Sequence, residues 1–124
     1  MSISAMCDRF TATLKRQGNT TSAYGDKVLA FSTANRTTDG VPTSVRSDMQ
    51  TQSSEEKAEY AIKETDMSWF MYTASDPELV TEDQVEWTDS GSVARVCRII
   101  EPSFDMAGRG TIWRTVIAET KNEL

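Results

Sequence analysis

The sequence predicts an all-β fold, a small β-barrel or sandwich of six to seven strands with a long loop or short helix near residues 50–65. Apolar and polar residues alternate in several short runs, the period of a half-buried strand. Ser and Thr are abundant, 13 and 16 of 124 residues, and Thr suits exposed strand faces. Clusters of Gly, Asn and Asp break the runs where tight turns are needed. A chain of this length fits a single domain spanning residues 1–124 around one core.

Taken in order, FTATLKRQ sets Phe10, Ala12 and Leu14 against Thr11, Thr13 and Lys15, a half-buried strand whose turn follows in Gly18 and Asn19. KVLAFST is a second strand, partly apolar on both faces, ended by the loop NRTTDG. Val41, Thr43, Val45, Ser47 and Met49 then alternate with Pro42, Ser44, Arg46, Asp48 and Gln50, a strand with Pro at its first position or on an edge. Ser53 followed by Glu56 has the form of a capping box, and Ala58, Ala61 and Ile62 fall at helical spacing, which predicts a short helix over about 55–63. Tyr60 and Ile62 also alternate, so a loop running into a strand is the other reading of this stretch.

MSWFMYTA is the strongest strand signal, with Trp69 and Met71 on one face and Phe70 and Tyr72 on the other. A strand apolar on both faces requires cover on both. The turn-rich SDPELVTED leads to QVEW, where Val85 and Trp87 face one way, and Asp89, Ser90 and Gly91 turn the chain into SVARVCRII. In EPSFDMAGRG, Gly108 and Gly110 suggest an exposed hairpin arm before the last strand, TIWRTVIAE.

Composition excludes several activities. The chain has no histidine, so it cannot build a Ser-His-Asp or Cys-His nucleophile or a His-based zinc site. Cys7 and Cys97 form no C-x-x-C pair and read as buried thiols in a reducing compartment. No run approaches the ~20 apolar residues of a membrane span. The N-terminus lacks the basic start and apolar stretch of a signal peptide, so a soluble protein made in the cytoplasm is expected. The net charge of -6 is local. Residues 55–89 hold seven Glu and four Asp against Lys57 and Lys63, a net of -9, between flanks of +2 and +1. That balance disfavours broad DNA binding and suits either a solvated face or an acidic surface meeting a basic neighbour.

Few residue constellations carry chemistry. Glu82, Asp83 and Glu86 could bind a hard cation or act as acid and base, but they match no calcium-loop pattern, and a solvated loop is the plainer reading. AGRGT has neither the spacing nor the lysine of a phosphate-binding loop, and no G-x-S-x-G elbow is present. No catalytic residue, metal or cofactor is therefore expected. Arg95, Arg98, Arg109 and Arg114 with Trp113 resemble a basic patch with an aromatic, which supports an OB-like single-stranded nucleic-acid binder as the alternative function.

The order of the second half is more informative. An aromatic strand, an acidic connection ending in TEDQVEW, a DSG turn, SVARVCRII, a loop and TIWRTVIAE together resemble the head-to-tail joining proteins of tailed bacteriophages, also called stopper or head-completion proteins. In that family a strand, an "i-x-x-x-D-x-v" element, a glycine turn and a "y-x-V-x-x-V" strand recur. Asp83, Val85, Gly91 and Val93 to Ile100 stand at those places, and FTATLKRQG looks like the family's first strand, so the resemblance spans about residues 10–119. Ser92 stands where the family usually has an aromatic.

The resemblance implies a small barrel with a structural, non-enzymatic role in the virion neck. Subunits would form a homo-oligomeric ring beneath the portal, closing the filled head and offering the tail its attachment surface. Implied partners are further copies, a portal or adaptor ring, and tail-terminator or tail proteins, with packaged DNA passing through without sequence-specific binding. Residues 46–66, poor in apolar side chains, would supply a channel or gating loop with Arg46, Asp48, Gln50, Gln52, Glu55, Glu56 and Lys57. Asp76, Glu78, Glu82, Asp83, Phe104, Met106 and Arg109 are candidates for a subunit or partner interface.

Overall fold

The structure, a computed structural model, describes residues 9–21, 27–63 and 66–120. Seven strands, β1 (Phe10–Thr21), β2 (Lys27–Ser32), β3 (Ser44–Thr51), β4 (Ser68–Thr73), β5 (Asp83–Thr88), β6 (Ala94–Asp105) and β7 (Trp113–Glu119), are joined by loops and two single-turn helices, α1 (Thr33–Thr38) and α2 (Ser54–Glu59). Neighbours run β1-β3-β4-β7-β6-β5, and β5 pairs back onto β1, which closes a six-stranded antiparallel barrel. Closure leaves no free edge around the barrel. Beyond the barrel, β1 continues as a two-stranded ribbon with β2, in register from Arg16 opposite Ser32 to Thr21 opposite Lys27.

The period-two pattern of the sequence becomes the inside and outside of the wall. Ala12, Leu14, Met49, Trp69, Met71, Val85, Trp87, Cys97, Ile99 and Ile117 point inward and are buried, with Leu79 entering from a loop. Trp87 anchors one end of this core, its ring 5.1 Å from both Phe10 and Trp69 in edge-to-face contacts. Each such pair contributes about 0.5–1.5 kcal/mol beyond the area it buries. The second apolar face of β4, which required cover, receives it from the segment after α2. Ile62 packs with Phe70, Val116 and Ala118 on the outer wall, and Tyr60 stacks edge-on against Phe70 at 6.0 Å.

Two expectations change. β1 runs through Gly18 and Asn19 instead of turning there, and the reversal between β1 and β2 lies outside the described residues. Gly18 serves a close approach: a Cβ built on it would stand 2.4 Å from Asn35 Nδ2, which donates to Arg16 O at 2.9 Å. The sequence predicts a strand reaching Thr33 and the loop NRTTDG over 35–40; instead residues Thr33–Thr38 form α1, with Ser32 Oγ accepting from Asn35 N at 3.3 Å. The turn after β5 forms at Asp89, Ser90 and Gly91 as read, with Ser92 following in the left-handed region (φ 63).

The helix near residue 55 is present as α2 and carries the capping box read from Ser53 and Glu56: Ser53 Oγ accepts from Glu56 N at 3.2 Å, and Glu56 Oε1 from Ser53 N at 2.9 Å. The glycine arm is present too. Gly108 and Gly110 both have φ 68, and their N–H groups donate to the Asp105 carboxylate at 2.9 and 2.8 Å, so one side chain organises the β6–β7 loop.

Candidate functional site

Antiparallel alternation gives the barrel two different ends. At one, here the Asp83 end, the loop 76–82 folds across the opening. Leu79 (1% exposed) plugs the interior, and two bonds tie the loop to β6: Ser103 N donates to Leu79 O, and Leu79 N donates to the Ser103 side-chain Oγ. A buried ion cluster fixes it. Asp83 on β5 points inward, following the parity of Val85 and Trp87, and is 2% exposed. Its carboxylate accepts from Arg16 Nε (2.8 Å) and one Arg16 terminal nitrogen (3.2 Å), from an Arg36 terminal nitrogen (2.7 Å) and from Val80 N (2.9 Å).

Arg36, on α1, is fully buried and also donates to the carbonyls of Pro42, Pro77 and Glu78. Burial pushes the Arg36 guanidinium pKa down from its ordinary value, while the hydrogen bonds from Arg16 to Asp83 push that of Arg16 up. A carboxylate between two guanidiniums thus locks β1, α1, the 76–82 loop and β5 together. It is fully engaged and has no site for a substrate or metal.

Both extensions leave from this end: the β1–β2 ribbon, and the β6–β7 hairpin with its loop 106–112. β6 reaches the hairpin through register shifts between Ile99 and Phe104, which accommodate Pro102. On the hairpin Phe104 is 53% and Met106 41% exposed, and Val80 is exposed on the neighbouring loop.

At the opposite end Phe10 and the buried Trp69 and Trp87 pack together across the barrel mouth and line a surface groove of about 430 Å³. Arg9 lies over the Phe10 ring (5.4 Å) and Arg95 over Trp69 (5.6 Å), and exposed Met67 and Val93 form part of its rim. Asp89 holds the adjoining turn by accepting from Gly91 N, Val93 N and Arg95 Nε at 2.9–3.0 Å. The Val93 amide bond is the largest effect on its carboxyl and, helped by the Arg95 and Gly91 bonds, outweighs desolvation and keeps it below the ordinary aspartate pKa. Cys97 is a buried free thiol pushed up to about 12 by burial, so it is protonated and unreactive at neutral pH; Cys7 lies outside the described residues.

The sequence-predicted residues separate on this frame. Asp76, Glu78 and Glu82 are exposed on the loop beside the exposed hairpin residues Phe104, Met106 and Arg109, so six of the seven interface candidates share one end. Asp83 is corrected: it is buried in the ion cluster and presents nothing to a partner. Of the channel-loop candidates, Arg46, Asp48 and Gln50 belong to β3, which runs to Thr51. Gln52 is buried at its end, with Gln52 N bonded to Ser68 O, and Glu55, Glu56 and Lys57 ride on α2. The segment is docked on the wall through Ile62 rather than projecting.

The carboxylate trio also divides, because Glu86 pairs with Lys15 at 2.9 Å while Asp83 is occupied. Among the described residues, no three Cys, Asp or Glu gather to hold a metal. Arg95, Arg98, Arg109 and Arg114 do not gather into one basic patch. Arg95 is bound to Asp89 and Glu119 at the mouth, Arg98 faces Asp66, Arg114 stacks on Phe70, and Arg109 stands on the hairpin at the other end. Sequence reasoning missed Arg16 and Arg36. The signal was Asp83 itself, a charge on the apolar face of β5 that had to find a buried partner.

These features define a class: a small closed barrel, plugged at one end, with two hairpin extensions and no catalytic constellation among its described residues. No family model matches the chain, and no curated protein matches it in sequence. In solved structures its fold is similar to the solution structure of protein SF1141 from Shigella flexneri 2a, with a TM-score of 0.68 and 14% identity over 99% of this chain and 100% of that one. It is also similar to a chain in the virion of a native gene transfer agent particle, with a TM-score of 0.52 and 12% identity over 90% of this chain and 94% of that one.

Proposed function

We propose that this chain is a structural protein of a tailed, phage-like particle, acting at the neck. As a homo-oligomeric ring beneath the portal it would close the filled head and present the tail's attachment surface. It would contact a portal or adaptor ring on one side and tail-terminator or tail proteins on the other, with DNA passing through the ring. The observation that carries this reading is the fold it shares, over 90% of its length, with a virion component. The molecule's own features agree with work done by contact. Its conspicuous surface features are the hairpin extensions and the exposed Phe104 and Met106, and its buried charges hold the fold together instead of serving a reaction. No activity is assigned to it.

The reading is tested in the particle. Purified virions should contain the chain at the head–tail junction by cryo-electron microscopy, and deletion of its gene should yield filled or leaking heads without tails. Tailed, infectious particles that lack the chain would refute it.

A further inference from the structure

We propose that Gln52 and Ser68 bind an internal water molecule where the chain leaves β3 for α2 on the outer wall of the barrel. The site goes beyond the neck reading and does not depend on it. It stands at the end of the β3–β4 ladder. Thr51 is opposite Trp69, and the next pair is joined by Gln52 N donating to Ser68 O at 3.2 Å. Side chains directly opposite each other in an antiparallel ladder share a face, with Cβ atoms about 4.5–5.5 Å apart. Trp69 points into the core, so Gln52 and Ser68 lie on the outer face, in line with Phe70. Both are nevertheless covered: Gln52 is 7% and Ser68 3% exposed. Cover is at hand in Ile62, which packs with Phe70, the next outward residue of β4, and with Ala118, which stands opposite Ser68 on β7.

Under that cover three polar atoms, Gln52 Nε2, Gln52 Oε1 and Ser68 Oγ, have no hydrogen-bond partner among the described residues. Buried polar groups are nearly always paired, with protein or with ordered water. Exchanging the amide nitrogen and oxygen of Gln52 changes nothing, because neither has a partner. The chemistry of the three atoms selects the occupant. The amide nitrogen only donates, the amide oxygen only accepts, and the serine hydroxyl does either. A bare cation would satisfy the oxygens and collide with the amide N–H₂, and an anion would meet the reverse conflict at Oε1. Water both donates and accepts, and three bonds are the usual complement of a buried water. Ser68 and Ala118 face each other with small side chains, so the outer wall is shallow beside Gln52. Gln52 immediately precedes Ser53, the N-cap of α2. The water therefore completes the hydrogen bonding at the point where a ladder gives way to a helix and the backbone no longer supplies partners.

The test is made on the full chain in solution. In NMR spectra of the wild type, the Gln52 side-chain amide protons should give cross-peaks to water with the sign of a molecule that tumbles with the protein. Water-oxygen relaxation dispersion, which counts long-lived internal waters, should lose a single water in Ser68→Ala and a single water in Gln52→Met. The double variant should lose no second one, because both residues hold the same molecule. Circular dichroism verifies that the variants fold, and where one does not, the wild-type cross-peaks decide alone. Cross-peaks from the Gln52 amide to the Ser68 β protons, with none to water, would reveal a direct bond between the two side chains and overturn the proposal. An unchanged water count in folded Ser68→Ala and Gln52→Met would overturn it as well. Neither result touches the neck reading, which is decided in the particle.

Discussion

Replacing Asp83 by asparagine strikes the point where four segments of the chain meet. The substitution keeps the shape but removes the charge, so Arg36, fully buried, and Arg16 lose the carboxylate that accepts from them at 2.7–3.2 Å. One asparagine N–H₂ must also point at donors. Breaking a buried ion pair from one side costs about 3–5 kcal/mol, because the remaining charge stays desolvated and uncompensated. Against a total stability of about 5–15 kcal/mol for a small domain, that is a large fraction. At about 4 °C per kcal/mol for a domain of this length, Tm should fall by roughly 12–20 °C. Urea unfolding followed by tryptophan fluorescence reads the change, with the midpoint moving and the slope constant.

A double variant sharpens the test. Asp83→Leu with Arg36→Met removes both buried partners and leaves Arg16 its contact with Asp39 at 2.9 Å. It should therefore be more stable than the sum of the single losses by about 2 kcal/mol or more. Loss of less than about 1 kcal/mol in Asp83→Asn, with strict additivity in the double variant, would refute the cluster as the lock of this end.

Further outcomes follow from the same structure. Gly18→Ala should lose about 1–2 kcal/mol by displacing the Asn35 amide from Arg16 O, and adding Asn35→Ala should recover part of that loss in thermal melts. Ile62→Ala should cost about 2–3 kcal/mol and raise hydrogen exchange in β4 and β7, since Ile62 covers Phe70 and Val116. Asp105→Ala should leave the melting temperature nearly unchanged yet speed tryptic cleavage after Arg109, because the loop loses both glycine N–H bonds. Asp89 has a depressed folded pKa, so its contribution is present above the ordinary aspartate value and is lost as pH falls through the folded value. Stability measured below about pH 4 should therefore decline less steeply in Asp89→Asn than in the wild type.

Much of the barrel was legible because alternation has one cause, a wall with an inside and an outside. FTATLKRQ, MSWFMYTA and QVEW all face as their parity requires, and the demand that β4 be covered on both faces is met on its outer face by Ile62, a residue the pattern alone did not single out for it. What escaped depends on contacts between distant residues. Thr33–Thr38 is poor in helix-forming residues, and α1 exists because its Arg36 is drawn into the Asp83 cluster, a tertiary reason that overrides propensity. Gly18 looked like a turn because the side chain that needs its missing Cβ is 17 positions away, on α1. At the candidate surfaces, the glycine hairpin could be read from its own residues. The mouth could not, since Arg9, Trp69, Val93 and Arg95 come together only when the strands pair.

The seam between β1 and β5 has a kinetic consequence. Lys15 and Glu86, which join across it, are 71 positions apart, so the wall cannot close by local zippering. The chain must first form the hairpins available nearby, β1 with β2, β5 with β6 and β6 with β7, and then bring its first strand to its fifth. Such non-local closure is slow, in the millisecond-to-second range typical of β-barrels, and until it occurs both seam strands are open edges that another chain could capture. Arg16 and Lys15 meet Asp83 and Glu86 across that seam, so attraction between opposite charges favours the correct strand before backbone register is complete. Loss of these pairs should therefore show first in refolding yield at high protein concentration, ahead of any change in the folded molecule.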